Sequence, residues 1–281
     1  MTTPSGDRSP RSEGSPSHSF EDILYGVAEG VATITLNRPA QLNALRVETG
    51  VELLAALRLA ELDESVRCVA LTGAGRAFCA GDDLRIFTPS VAVLRGVDVP
   101  GRYVRGEGRW PQVVLAIRAL PKPVLAVVNG YAYGAGFNLA LACDFRLAAA
   151  SASLATPFVK RGMATGTNLL QQYVGVGTAA KMTLLGDPVS ASEALALGLV
   201  TWVVSDEQLA DEAGRVAARL AAAATVALGL TKGALYRGWD VDPERAYGLQ
   251  GYAVHFSSTT DDRAEGQRAF LEKREPRFRG G

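Results

Sequence analysis

The stretch Val124-Leu125-Ala126-Val127-Val128-Asn129-Gly130-Tyr131-Ala132-Tyr133-Gly134-Ala135-Gly136-Phe137-Asn138-Leu139-Ala140-Leu141-Ala142-Cys143 decides how the rest of the chain is read. It carries no charge and, with Pro123 ahead of it, is just long enough to cross a bilayer, which takes about 20 apolar residues. Its punctuation argues otherwise. Asn129, Asn138, Gly130, Gly134 and Gly136 interrupt it, and Lys122 and Asp144 bound it. The apolar run before Asn129 reads as a buried strand, the glycines as turns, and the run from about Gly134 to Cys143 as a buried helix. A strand feeding through glycine into a helix start is a place where a ligand can approach the backbone closely. There the first N–H groups of the helix attract negative charge.

A second segment repeats the design upstream: Leu71-Thr72-Gly73-Ala74-Gly75-Arg76-Ala77-Phe78-Cys79-Ala80-Gly81-Asp82-Asp83-Leu84. Two backbone N–H groups converging on one point would form an oxyanion hole; two ordinary glycine turns would not converge. Local pattern alone leaves both readings open.

Working outward, Ile23–Leu36 reads as a β-hairpin around Ala28-Glu29-Gly30, Leu45–Leu62 as a helix, and Val66–Thr72 as a short buried strand. Val113–Leu120 reads as a helix stopped at Pro121, and Phe145–Ala149 and Ser153–Ala155 as strands. Asp82–Arg109 is glycine-rich and irregular, a loop expected to line a pocket. From about Gly162 helical patterns dominate: Ser190 and Glu193 form a capping box, Gln208–Ala224 is an Ala-rich helix, and Asp242–Lys273 holds two more. The expected organisation is a tail over 1–19, a mixed α/β core over 20–205 and a helical region over 206–281. The tail has six Ser, three Pro and no apolar residue after Met1, too little to offset the entropy of ordering.

Composition narrows the function. Lys plus Arg equals Asp plus Glu at 29 each, so the net charge is zero and a nucleic-acid partner is not expected. Three cysteines (Cys68, Cys79, Cys143) do not make a disulfide scaffold and suit a reducing, cytoplasmic setting; no membrane attachment is expected. Two histidines, His18 and His255, give no His-rich metal site. Gly175-Val176-Gly177-Thr178-Ala179-Ala180 fits a dinucleotide pattern but follows a helical run instead of a strand, so nicotinamide binding is discounted.

Taken in order, the two glycine segments resemble the enoyl-CoA hydratase/isomerase (crotonase) family. Asn37-Arg38-Pro39 with Asn43-Ala44-Leu45, Ala142-Cys143-Asp144, Val174-Gly175 with Leu185-Gly186, and Asp262-x-x-Glu265-Gly266 with Ala269 to Arg274 agree with it. The resemblance runs from about Phe20 to Phe278. It implies a ββα spiral core and a C-terminal helical region that builds homotrimers, paired as hexamers. It also implies an acyl-CoA thioester as substrate, with coenzyme A part of that substrate and no separate cofactor or metal.

Carried over by position, the resemblance makes the backbone N–H groups of Asp82 and Ala135 the oxyanion donors, with Gly134 in the same loop. The Ala80 carbonyl would meet the adenine, Lys273 the CoA nucleotide of a neighbouring subunit, and Arg38 lies in the CoA-contacting turn. The family's hydratase glutamates fall at Asn138 and Phe158, neither of which transfers a proton. The resemblance therefore implies hydratase- or isomerase-like enolate chemistry without the usual two-glutamate hydration. The alternatives are decarboxylation, thioester hydrolysis, or acyl-CoA binding with little catalysis. The Asp82 carboxylate, Asp83, Tyr131, Tyr133, Lys160, Arg161 and His255 are candidate polar groups, each with a packing or surface role as the plainer reading.

Overall fold

A computed structural model of the chain describes residues 19–85, 110–164 and 168–281. Residues 1–18, most of the Asp82–Arg109 loop, and part of the run after Gly162 lie outside the described residues.

The hairpin forms as expected: β1 (Ile23–Ala28) pairs antiparallel with β2 (Val31–Leu36) across Glu29 and Gly30, both with positive φ. Helix α1 (Val47–Leu62) packs on it, and Glu52 accepts the N–H groups of Glu21, Asp22 and Ile23 at 2.8, 2.8 and 3.2 Å. The chain then winds. Strand β3 (Cys68–Gly73) is followed by β4 (Ala77–Cys79) and helix α2 (Trp110–Ala119). Next come β5 (Val124–Val128), β6 (Tyr131–Tyr133) and helix α3 (Ala135–Ala142), then β7 (Phe145–Ala149) and β8 (Ser153–Ala155).

Each turn gives one strand to each of two sheets. The larger has the order β1-β2-β3-β5-β7-β10, with β9 (Val189–Ser190) and β10 (Trp202–Val204) the last strands; the smaller has the order β4-β6-β8-β9. From β2 onward the larger sheet is parallel throughout. This is the expected ββα spiral.

Amide side chains brace the corners between successive turns. Asn43 Nδ2 donates to the carbonyls of Ala74 and Ala77 at 2.9 and 2.7 Å, and Asn129 Nδ2 to those of Gly73 and Gly75, both at 2.8 Å. A buried corner needs this, because its carbonyls have no strand neighbour.

Helix α3 is buried on every side, as befits a helix apolar all round inside a domain. Its second residue, Gly136, rides on β4: a Cβ there would stand 2.3 Å from the Cys79 carbonyl oxygen. Gly136→Ala must therefore push main chain apart. We expect it to cost about 3 kcal/mol in urea unfolding, and an unchanged midpoint would show that the packing yields.

The capping box at Ser190 and Glu193 opens α5 (Ala191–Ala196) and the Ala-rich run forms α6 (Leu209–Ala221), both as expected, whereas α4 (Leu170–Leu185) and α7 (Thr225–Arg237) were not delimited by sequence pattern. Gly175 interrupts α4 with φ 71° and ψ 166°, so the glycine pattern there lies within helix. Leu209, Ala217 and Ala221 of α6 join the core behind the larger sheet. Helices α8 (Pro243–Ser257) and α9 (Asp261–Glu272) complete the C-terminal region. No single helix among the described residues is long and apolar enough to cross a membrane.

Candidate active site

The two glycine segments meet. Gly81 has φ 95°, and a Cβ built on it would lie 2.8 Å from the Tyr133 carbonyl oxygen and 3.3 Å from the Ala135 nitrogen. Only glycine permits both that torsion and that approach. The loop around Asp82 thus sits directly on the turn that opens α3.

The orientation of the first loop is fixed from behind. Ala80 N–H donates to the Leu42 carbonyl (3.0 Å), Leu45 N–H to the Gly81 carbonyl (2.8 Å) and Asp83 N–H to the Leu45 carbonyl (2.9 Å), a parallel bridge between Leu45 and Asp82. In such a bridge the flanking residues face the partner, and the middle residue directs its own N–H to the other side. In the second loop, Gly134 (φ 55°, ψ −120°) is the N-cap of α3, and its N–H donates to the Ala155 carbonyl at 2.9 Å. Ala135 is the first helical residue, so its N–H belongs to the group with no acceptor in its own helix.

The next positions pack around this contact. Phe158 is 9% exposed, and its ring lies over Gly134, with Cζ 3.4 Å from where a Cβ would stand. Asn138 is 1% exposed, and its Nδ2 has no hydrogen-bond partner among the described residues. It sits one turn beyond Ala135 on the same face of α3.

Other candidates divide. Arg38 donates to the Ala44 carbonyl and to Asp83 Oδ2 (3.1 Å), and lies 3.5 Å from Asp22 Oδ1. Its guanidinium therefore holds the loop from behind. Asp83 is buried, and the hydrogen bond from Arg85, with Arg38 adding to it, holds its carboxyl well below the usual carboxylate range. Tyr131 and Tyr133 stack edge to face at 5.5 Å, and the Tyr133 hydroxyl pairs with Ser153 Oγ at 3.1 Å. Lys160 forms an exposed ion pair with Asp187. Lys273 caps α9 in the left-handed conformation and is exposed, as is His255 on α8.

Burial pushes the thiols of Cys68, Cys79 and Cys143 up to about 12, which leaves them protonated.

Sequence reasoning missed a second polar centre, behind the larger sheet. Lys232 of α7 donates to Asp144 Oδ2 (2.9 Å) and to the carbonyls of Ile117 (2.9 Å) and Lys122 (3.1 Å). Asp144 also accepts Val124 N–H at 2.7 Å and the Tyr236 hydroxyl at 2.8 Å. A lysine inside an apolar helix was the available signal. The arrangement ties α7 to the core.

The enoyl-CoA hydratase/isomerase family model matches residues 26–281. The chain is 39% identical over 268 residues to a 1,2-epoxyphenylacetyl-CoA isomerase of Escherichia coli K12, covering 93% of this chain and 99% of that one. It is 35% identical over 265 residues to a crotonyl-CoA hydratase of Syntrophomonas wolfei, covering 92% and 98%. A solved enoyl-CoA hydratase from Bacillus anthracis superposes with a TM-score of 0.83 at 34% identity, covering 93% of this chain and all of that one.

Proposed function

The chain belongs to the enoyl-CoA hydratase/isomerase family, and from that membership we propose that it holds the thioester carbonyl of an acyl-CoA between the backbone N–H groups of Asp82 and Ala135. The observation that carries this reading is the contact of the two glycine loops, with Gly81 packed against the Ala135 nitrogen. A carbonyl oxygen gripped by two preorganised donors gains negative charge cheaply, so the α-carbon can lose its proton and the enolate persists. Each donor contributes about 3 kcal/mol to lowering such a barrier.

The donors move no proton themselves. Asn138 and Phe158 stand where the family's hydratases place glutamates; a carboxamide and a phenyl ring offer no general base. This favours isomerase-like or related enolate chemistry, such as decarboxylation or thioester hydrolysis, over two-glutamate hydration. The names of the relatives do not choose, since one is an isomerase and another a hydratase. Asp83 is held by Arg38 and Arg85, and the Asp82 carboxylate is the proton carrier we assign in this loop. Coenzyme A arrives with the substrate, and no further cofactor enters the reading. The Ala80 carbonyl is assigned to the adenine. Buried free thiols suit a reducing compartment such as the cytoplasm.

The test is deuterium uptake at the α-carbon of a saturated acyl-CoA in heavy water, followed by mass spectrometry. Uptake above the solvent rate supports the enolate. Tight binding with no uptake and no turnover across acyl chains would favour a binding protein instead.

Assembly belongs to the same proposal. Helices α8 and α9 expose Tyr247 (73%), Val254, Phe270 (82%) and Leu271, large apolar residues that a monomer would bury. We expect light scattering to give about three or six times the 29.6 kDa chain mass, with Lys273 serving a neighbouring site; a monomer would refute this.

A further inference from the structure

We infer that Arg118 and Arg146 are positioning residues for α3: they cancel the negative pole at its C-terminal end, so that its positive pole, at Ala135, acts on the bound thioester unopposed. This deepens the reading above and rests on its placement of the thioester oxygen at the Ala135 N–H. Helix α3 has eight residues, all of them buried. It is about 12 Å long, and no water lies along it to screen one pole from the other. Its backbone dipoles amount to about half a positive charge at the N-terminus and half a negative charge at the C-terminus. In so short a helix the negative end subtracts from what the positive end offers an anion.

Cations meet that end. Arg118 of α2 donates to the Leu141 carbonyl at 2.9 Å, and Arg146 of β7 to the carbonyls of Cys143 at 2.7 Å and Ala140 at 3.4 Å. The Tyr173 hydroxyl also donates to Leu141, at 2.7 Å. Aromatic rings hold both guanidinium groups in place. Arg118 Cζ stands 3.9 Å from the centre of the Tyr236 ring, and Arg146 Cζ 4.6 Å from that of Tyr173. Neither guanidinium has an ion-pair partner among the described residues, and the carboxylate of Asp144, just past the helix, is matched by Lys232 at 2.9 Å.

Neutral donors would satisfy these carbonyls equally well. Arg146 is 4% exposed, and burying a guanidinium without a carboxylate is costly. The negative pole of α3 stands in for the missing anion. The surplus positive charge then lies one helix length behind the oxygen that turns negative in the enolate. At that distance, and at the effective dielectric of a protein, each charge contributes about fivefold to the rate of enolate formation.

The experiment reads the carbonyl itself. Butanoyl-CoA, isotope-labelled at the thioester carbonyl, is bound to the wild type, Arg118→Gln and Arg118→Lys. Infrared difference spectroscopy records its C=O stretch, and deuterium uptake at the α-carbon is timed in heavy water. Glutamine keeps N–H donors for Leu141 and loses the charge; lysine keeps the charge. Both lose the planar stack on Tyr236, so both should melt below the wild type, and a role confined to packing would treat them alike. We expect the wild type to lower the stretch relative to the free ligand. Arg118→Gln should give back part of that lowering and slow uptake about fivefold, while Arg118→Lys keeps most of both. A folded Arg118→Gln protein with the wild-type stretch and uptake overturns the inference, as does an Arg118→Lys protein as impaired as Arg118→Gln. If Arg118→Gln does not fold, Arg146→Gln carries the same comparison. A stretch that the wild type does not lower removes the thioester reading and the inference with it; a lowering that Arg118→Gln leaves intact removes the inference alone.

Discussion

Replacing Ala135 by proline is expected to lower turnover of an acyl-CoA substrate by about 10²- to 10³-fold while leaving the fold standing. The substitution deletes one atom that the proposed chemistry uses, the amide hydrogen, and places a ring carbon where the carbonyl oxygen would sit. Elsewhere in a helix proline removes a backbone hydrogen bond and clashes with the preceding turn. At the first helical position it does neither, because that N–H has no acceptor within the helix. Ala135 holds that position, and the residue before it is Gly134, which tolerates the restriction that proline imposes on its neighbour. The measurement is kcat together with a thermal melt. Loss of turnover with the melt within a few degrees of wild type identifies the N–H as the functional group. Full activity in a folded Ala135→Pro protein would remove this amide from the mechanism. The control is Ala135→Ser, which keeps the N–H and should retain most of the rate.

Why the site was partly legible before any coordinates is clear from Gly81 and Gly134. A glycine is written into a sequence where the backbone must turn with positive φ or come close to another strand, and both conditions hold here. The hairpin, α1, β3, β5 and α3 were readable for a related reason: each is long enough, or apolar enough, for its period or composition to stand out. Strands β4 and β6 were not. Ala77–Cys79 and Tyr131–Tyr133 lie inside the glycine segments, where turn signals dominate the pattern, and are strands because the spiral lays them side by side. Helix α7 escaped because Gly229 and Gly233 weaken its pattern and the buried Lys232 reads as a surface residue. Arg38 shows the same limit from the other side. A cation in a turn near a ligand site suggests a ligand contact, and its hydrogen bond to Asp83, 45 residues away in sequence, could not be read from the turn. Long-range ion pairs leave no local trace.

Lys232→Met is expected to destabilise the protein by about 3–5 kcal/mol, the usual consequence of removing one member of a buried pair. In a domain of this size that is a fall of roughly 10 °C or more in the melting temperature. The ammonium group and its carboxylate are 7% and 11% exposed, so water screens them little. Methionine keeps much of the lysine volume but leaves the Asp144 carboxylate with only Val124 N–H and the Tyr236 hydroxyl. It also strips the carbonyls of Ile117 and Lys122 of their shared donor. Those contacts tie α7 to the end of α2 and the start of β5, so the loss should fall first on the attachment of the C-terminal helices. Asp144→Asn in the Lys232→Met background removes the stranded charge, keeps one oxygen for the Val124 N–H and turns its NH2 group to the Tyr236 hydroxyl, which can accept, and should recover more than half of the loss. Melts of the four proteins at one fixed concentration give the coupling directly, and concentration must be held because assembly itself shifts the midpoint. If the two substitutions simply add, the pair is not the tie. If they couple strongly, activity should fall with the attachment of α7, since the helices that carry Lys273 follow directly from it.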